Sequence, residues 1–319
     1  MSQNFVSTVE LSEKRVMKLS LTQLGPCAWE YACWILGGLM LLFSLPATSS
    51  AQQATNFIDD TKIQDKLYSK GFDLLQKKHV SAKKLIDQLK TAPKTYSLDV
   101  KARDSQAEEA IKISQNYNST VIVGWLYSSG DGRTLLSTAG GVVVDSDGLV
   151  LTNHHVLMLH QKKAQNFFVM THDGQVFPVT TVLAADKAKD LALIRVAAKE
   201  LEPAVFAKQP SVPNSEIYLI HHPHNRFYST DRGTVSRYST KVGKDNTRGN
   251  WMEINAIFSY GSSGCGAFNE QGELAGLVSR KEIVRKRYPN NVSEVELVVR
   301  QCVPQASIVE FLSDQREKK

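Results

Sequence analysis

Gly261-Ser262-Ser263-Gly264 is the stretch on which the reading of this chain turns. Two serines held between glycines describe a tight, small-residue turn that can lift a hydroxyl into a cleft. Upstream, Thr152-Asn153-His154-His155-Val156 brings a histidine to the end of the apolar run Leu149-Val150-Leu151, and Asp190 opens a second apolar run, Leu191-Ala192-Leu193-Ile194. A base, a carboxylate and a nucleophile therefore follow one another in the order His, Asp, Ser.

The chemistry explains why these residue types belong together. Hydroxyl attack on an amide needs a base that takes the serine proton, and imidazole does so near neutral pH. A carboxylate on the far ring nitrogen fixes one tautomer and stabilises the imidazolium that forms during attack. The oxyanion that follows needs convergent backbone N–H groups, which a turn flanked by Gly261 and Gly264 can supply.

Around these segments the periodicity is that of strands. Residues 120–127, 121–123, 141–144, 149–151, 167–169, 191–196 and 217–220 are short β-rich runs, separated by turns at Asp131-Gly132, Asp145 to Gly148 and Asp173-Gly174. Many short strands at this spacing indicate an all-β antiparallel barrel or sandwich. A last strand is read over Val295 to Val303, and a closing helix over Gln305 to Leu312, with Ile308, Phe311 and Leu312 on one face. Ahead of the strands, residues 54–91 read as helix: Phe57, Ile63 and Leu67 recur at near-helical spacing, Gly71 interrupts, and Ser81 caps a second piece carrying Leu85, Ile86 and Leu89. Thr91 to Ser97 reads as a linker, and Ser105-Gln106-Ala107-Glu108 as a capping box opening a short helix.

On these residues the chain resembles the chymotrypsin-fold serine proteases, nearest to the HtrA (DegP) and glutamyl-endopeptidase-like branches. Subtilisin-like enzymes run Asp, His, Ser and α/β-hydrolases Ser, Asp, His, so the order excludes both. The family's T-[AN]-x-H-[VC] pattern selects His155 over His154, D-[IL]-A-[LV]-[ILV] selects Asp190 over Asp186, and the third position of G-[DN]-S-G selects Ser263. The resemblance runs from about residue 115 to the end and includes Gly272 to Ser279, similar to the family's G-x-[LV]-x-G-[IV] strand. It implies two antiparallel six-stranded β-barrels with an N-terminal helical extension and a C-terminal helix. It also implies an oxyanion hole from the backbone N–H groups of Gly261 and Ser263, and a substrate pocket drawn from Ile257, Phe258, Tyr260 and Ser279.

The departures carry information of their own. Ser262 stands where the family has Asp or Asn, so the buried ion pair that activates pancreatic-type zymogens cannot form. His221-His222-Pro223 stands where HtrA enzymes usually have Gly-x-Pro, and Cys265 where glycine is common. A zinc site at His221, His222 and His224 is not expected, since they crowd one turn without a carboxylate or thiolate at ligand spacing. No aspartate falls at the pocket base, which argues against cleavage after Lys or Arg and for an apolar or small side chain. Arg280, Lys281, Arg285, Lys286 and Arg287 read as a basic exposed loop. No PDZ domain is expected after the protease domain.

The first residues read as a secretory leader. Lys14, Arg15 and Lys18 form a basic region, Ala32 to Leu45 an apolar core shorter than the ~20 residues that span a bilayer, and Ser49-Ser50-Ala51 a small-x-small cleavage site. Met17 is an alternative start, and an uncleaved leader would make a membrane anchor. The expected organisation is leader 1–51, basic helical extension and linker 52–103, and protease domain 104–319. Cleavage would remove Cys27 and Cys33 and leave Cys265 and Cys302, as one disulfide or as two buried thiols.

The formal charge of +6 sits mostly in residues 52–103, which hold 11 Lys or Arg against 6 Asp; this reads as a solvated helical face and not as a nucleic-acid surface. The expectation is an exported, periplasmic or secreted, serine endopeptidase acting on protein or peptide substrates, needing no metal or cofactor. The alternative is a protease-fold binding or chaperone-like protein whose catalysis is restricted.

Overall fold

The computed structural model of the chain describes residues 57–77, 79–100, 113–242, 246, 248–288 and 293–313. The residues read as a leader, with Cys27 and Cys33, and those read as a capping box at 105–108 lie outside the described residues.

Twelve strands dominate, and they fall into two rings. The first ring uses β1 (Thr120–Ser128), β2 (Thr134–Asp145), β3 (Leu149–Thr152), β4 (Ala164–Met170), β5 (Val176–Asp186) and β6 (Leu191–Val196), in the spatial order β1-β2-β3-β6-β5-β4. Pairing of β1 with β4, with Trp125 opposite Phe167, closes it. The second uses β7 (Glu216–His221), β8 (Ser229–Val242), β9 (Arg248–Ile254), β10 (Gly266–Phe268), β11 (Leu274–Arg287) and β12 (Ser293–Pro304), in the order β10-β11-β12-β9-β8-β7. The short β7–β10 pairing, Ala267 opposite Leu219, closes that one. All pairs are antiparallel, so no strand of either ring offers an open edge along its paired length.

Sequence pattern and burial agree in a particular way. A barrel strand that also carries a layer on its outside is buried on both faces and loses its alternation. In β1, Val121, Val123 and Trp125 enter one apolar cluster, while Ile122 and Leu126 enter another. The continuous run TVIVGWL is the consequence.

Helices supply part of that outer layer. α1 (Asp60–Gln76) and α2 (Ala82–Thr91) lie on the first barrel, and the short α3 (Ile113–Ser119) runs directly into β1. Leu67 of α1 and Leu85, Ile86 and Leu89 of α2 are buried, each worth about 1.5–3 kcal/mol of transfer free energy. Gly71 does not interrupt the helix. It lies inside α1, where a Cβ would come within 2.5 Å of the Phe168 ring, and its carbonyl accepts from Asn166 Nδ2 at 2.8 Å. Glycine here allows close helix-to-barrel approach. Phe57, read as part of the helical repeat, precedes α1 and is exposed. Ser81 caps α2, accepting from the Lys84 N–H, as its position suggested.

The linker after α2 is stitched down at several points. Ala185 N–H donates to the Pro93 carbonyl, and the Tyr96 and Leu98 N–H groups donate to the carbonyls of Phe311 and Leu312 at 2.9 Å. It thereby ties the first barrel to the end of α5 (Gln305–Leu312). At the other end, the Asp60 carboxylate accepts from the Phe227 N–H at 2.9 Å, so α1 also reaches the turn that follows β7.

Candidate active site

The site lies where the two barrels meet, and each of its three principal side chains comes from a connection between strands. β3 delivers the first. It ends at Thr152, Asn153 precedes the single-turn helix α4 (His154–Met158), and His155 projects from that turn. Asp190 follows the turn after β5 and has φ +56°, a left-handed conformation that aspartate tolerates better than most residues. Asn153 Nδ2 donates to its carbonyl at 3.0 Å, which holds the two connections together. Ser263 sits in the turn before β10, between Gly261 (φ +94°) and Gly264 (φ +84°).

These three side chains meet. His155 Nδ1 is 2.8 Å from Asp190 Oδ2, and Nε2 is 3.0 Å from Ser263 Oγ. A carboxylate only accepts, so Nδ1 carries the proton and Nε2 presents its lone pair to the serine hydroxyl. The His155 backbone N–H also donates to Asp190 Oδ1 at 3.0 Å, which locks the carboxylate plane. A third donor was not foreseen from sequence. Ser279, read as a pocket residue, is buried and turns its hydroxyl to Asp190 Oδ2 at 2.6 Å, while its carbonyl lies 3.1 Å from Ser263 Oγ.

The two rejected residues are elsewhere. His154 makes no hydrogen bond to Asp190 or Ser263 among the described residues; it lines a neighbouring cavity, and burial lowers its pKa. Asp186 is buried in its own turn, accepting from the Ala188 and Lys189 N–H groups and paired with Lys189 Nζ at 3.3 Å.

Behind Ser263 the barrels come into backbone contact. Gly140 N–H donates to the Ser263 carbonyl at 2.7 Å, and Thr152 Oγ1 donates to the Gly140 carbonyl at 2.8 Å. A Cβ at Gly140 would lie 2.0 Å from Cys265 Sγ and 2.8 Å from Cys265 N. Gly140→Ala is therefore expected to destabilise the fold by about 2 kcal/mol or more, read as a lower urea midpoint. An unchanged midpoint would mean that the barrels separate here at no cost.

Cys265 and Cys302 are both buried free thiols, so the disulfide alternative is corrected. Cys265 faces Gly140 across the barrel junction, whereas Cys302 packs with Ile217, Met252 and Val278 inside the second barrel. Burial pushes both thiols up, away from thiolate character.

The turn that carries Ser263 is itself well braced. Ser262 N–H donates to the Ser259 carbonyl, and the Tyr260 carbonyl accepts from the His224 N–H at 2.8 Å. In a trans peptide the N–H opposes the carbonyl, so the Gly261 N–H points the other way. Neither the Gly261 nor the Ser263 N–H has an acceptor among the described residues. Of the residues read as pocket walls, Ile257 and Tyr260 are exposed and Phe258 is buried. Beside His155 opens a cavity of about 820 Å³ whose walls include His154, Met158, Trp251, Arg280 and Gln301. Arg280 lies 3.8 Å over the Trp251 ring and donates to Gln301.

Residues 139–277, which contain all three principal side chains, match the trypsin-like peptidase domain family. The chain is 30% identical over 140 residues to the serine endoprotease DegS of Haemophilus influenzae, covering 43% of this chain and 39% of that protein. It is 27% identical over 194 residues to DegS of Escherichia coli K12, covering 60% and 50%. A solved HtrA-type protease with a tripeptide aligns at a TM-score of 0.49 and 17% identity, covering 62% of this chain and 60% of the other. The matches thus span half or less of the length of these curated relatives. Over residues 139–277 the chain is similar to the trypsin-like peptidase domain family, and over part of its length it is similar to the DegS serine endoproteases.

Proposed function

We propose that the chain is a serine endopeptidase in which His155, Asp190 and Ser263 hydrolyse peptide bonds through an acyl-enzyme. The observation that carries this reading is the continuous relay from Asp190 Oδ2 through the His155 ring to Ser263 Oγ, with contacts of 2.8 and 3.0 Å. Ser263 Oγ attacks the substrate carbonyl carbon while its proton passes to His155 Nε2. Asp190 holds the imidazolium and keeps the tautomer. The oxyanion of the tetrahedral intermediate takes hydrogen bonds from the Gly261 and Ser263 N–H groups. His155 then returns the proton to the leaving amine, the C–N bond breaks, and water, deprotonated by the same ring, cleaves the ester.

The free N–H groups of Gly261 and Ser263 favour this reading over a catalytically restricted binding protein, which would need no open oxyanion site. An apolar or small residue before the cut rests on the sequence, where no aspartate falls at the expected pocket base. Export of the chain rests on the leader sequence alone.

The test is covalent labelling. A fluorophosphonate probe is expected to modify the wild-type protein and to leave Ser263→Ala unmodified. Labelling of both, or of neither, defeats the enzyme reading.

A further inference from the structure

Ser262 poses a problem that the structure answers. It is fully buried beside the nucleophile, and no acid stands there to make the ion pair that orders this turn in pancreatic-type enzymes. A buried hydroxyl still requires partners. It has two: the Ser259 N–H donates to Ser262 Oγ at 3.4 Å, and His221 Nδ1 lies 2.9 Å away.

His221 ends β7, and the residues after it form one compact support for the Ser259–Ser263 turn. His224 N–H holds the Tyr260 carbonyl and its ring Nε2 lies 3.0 Å from Ser259 Oγ. The His222 carbonyl packs so closely that a Cβ at Gly261 would come within 2.4 Å of it. His224 and Asn225 adopt left-handed conformations (φ +51° and +60°) that fold the support back on itself, and Asn225 Oδ1 accepts from Thr138 Oγ1 of the first barrel at 2.8 Å. The buried His222 has its Nδ1 accepting from the Tyr228 N–H at 3.0 Å and its Nε2 facing the Val121 carbonyl. The three histidines thus have separate partners.

We propose that His221 is a positioning residue: its neutral hydrogen bond to Ser262 fixes the peptide that joins Gly261 to Ser263, and so aims both N–H groups at the site where the oxyanion forms. This rests on the catalytic reading above. Ser262 lies between the two donors, so a rotation of its backbone turns one or both of them away. Among the described residues His221 Nδ1 is the acceptor placed for the buried Ser262 hydroxyl proton, an arrangement that makes the ring the Nε2–H tautomer. The titratable groups facing His221 are Asp231 of β8 and the adjacent His222. Removing the brace should weaken transition-state binding and leave ground-state binding alone.

The experiment compares wild type, His221→Ala, Ser262→Ala, the double variant and His221→Asn, all as the full chain, on a chromogenic peptide substrate. Loss of a whole oxyanion donor costs about 10²–10³ in kcat, so loss of its support is expected to cost roughly 10- to 100-fold with KM within about twofold. The double variant is expected to match the worse single one, because both remove one contact. His221→Asn places an amide near the position of Nδ1 and is expected to recover to within about threefold of wild type. Unchanged kcat in His221→Ala, additive losses, or a loss confined to KM overturns the proposal. If wild type labels with fluorophosphonate while these variants behave like it, only this inference fails; if wild type does not label, the catalytic reading fails first. A readout independent of activity is the ¹⁵N spectrum of the His221 ring in the Ser263→Ala protein at pH 7. The Nε2–H tautomer is expected, and an Nδ1–H or charged ring overturns the arrangement.

Discussion

Ser263→Ala, His155→Ala and the double variant are expected to lose the same activity, roughly 10⁶-fold in kcat on a peptide substrate, with the double variant no worse than either single one. The reasoning is mechanical. Without Oγ there is nothing to attack the carbonyl and no proton for the imidazole to receive; without the ring, Ser263 must ionise unaided against the pKa of an alcohol. Either change breaks the same step. The residual rate of roughly 10³–10⁴ over water would come from the Gly261 and Ser263 N–H groups and from substrate binding. Asp190→Asn should cost less than either, about 10⁴-fold, because it leaves the geometry and forces the wrong tautomer on His155. Steady-state kinetics on purified protein decides it. Losses that multiply in the double variant would mean that His155 and Ser263 act in separate steps, and the relay reading would fall.

How much of this was legible beforehand differs from element to element. β6 and α5 have the boundaries that their apolar runs announced, since both bury a continuous face. β8, fourteen residues from Ser229 to Val242, gave almost no signal: STDRGTVSRYSTKV is polar and half-exposed, and only Val235 is fully buried in the second barrel. Its strand character comes from pairing with β7 and β9, a tertiary effect that no local pattern carries. β10 is three residues long, too short for any periodicity. The site divides in the same way. His155, Asp190 and Ser263 each sit in a recognisable short motif, but the hydroxyl of Ser279 reaches Asp190 across 89 residues and Gly140 reaches Ser263 across more than a hundred. A serine beginning a basic stretch and one glycine of a pair look unexceptional until the barrels close. The cysteines show the converse: two thiols in a chain read as exported invited a bond that their separate surroundings do not permit.

Acid should begin to destabilise this protein at a pH above the range in which its carboxylates titrate. His221 and His222 are buried and neutral, and desolvation lowers their pKa values to about 4 and about 3 from an ordinary 6.5. Asp231 pulls the first of these upward without cancelling the effect, and the Val121 carbonyl does the same for the second. As pH falls below 6.5 the unfolded chain takes up two protons that the folded chain refuses, so stability is full above about pH 6.5 and declines toward pH 4. The slope from these two groups is about 1.4 kcal/mol per pH unit each, or about 3 kcal/mol each by pH 4. Set against a typical 5–15 kcal/mol of total stability, that is a large fraction. The partly buried His154 and His160, and the more exposed His172, shift in the same direction. Carboxylates with lowered pKa values, Asp173 and Glu253 among them, contribute at lower pH, below their unfolded values near 4. Urea unfolding at pH 7, 6, 5 and 4.5 measures the slope directly. His221→Asn, which keeps a hydrogen-bonding group but cannot take up the proton, should reduce it by about one histidine's share. A stability that stays level from pH 6.5 to 4.5 would mean that both rings are charged or solvated in the folded state, and the neutral brace beneath Ser263 would be lost with it.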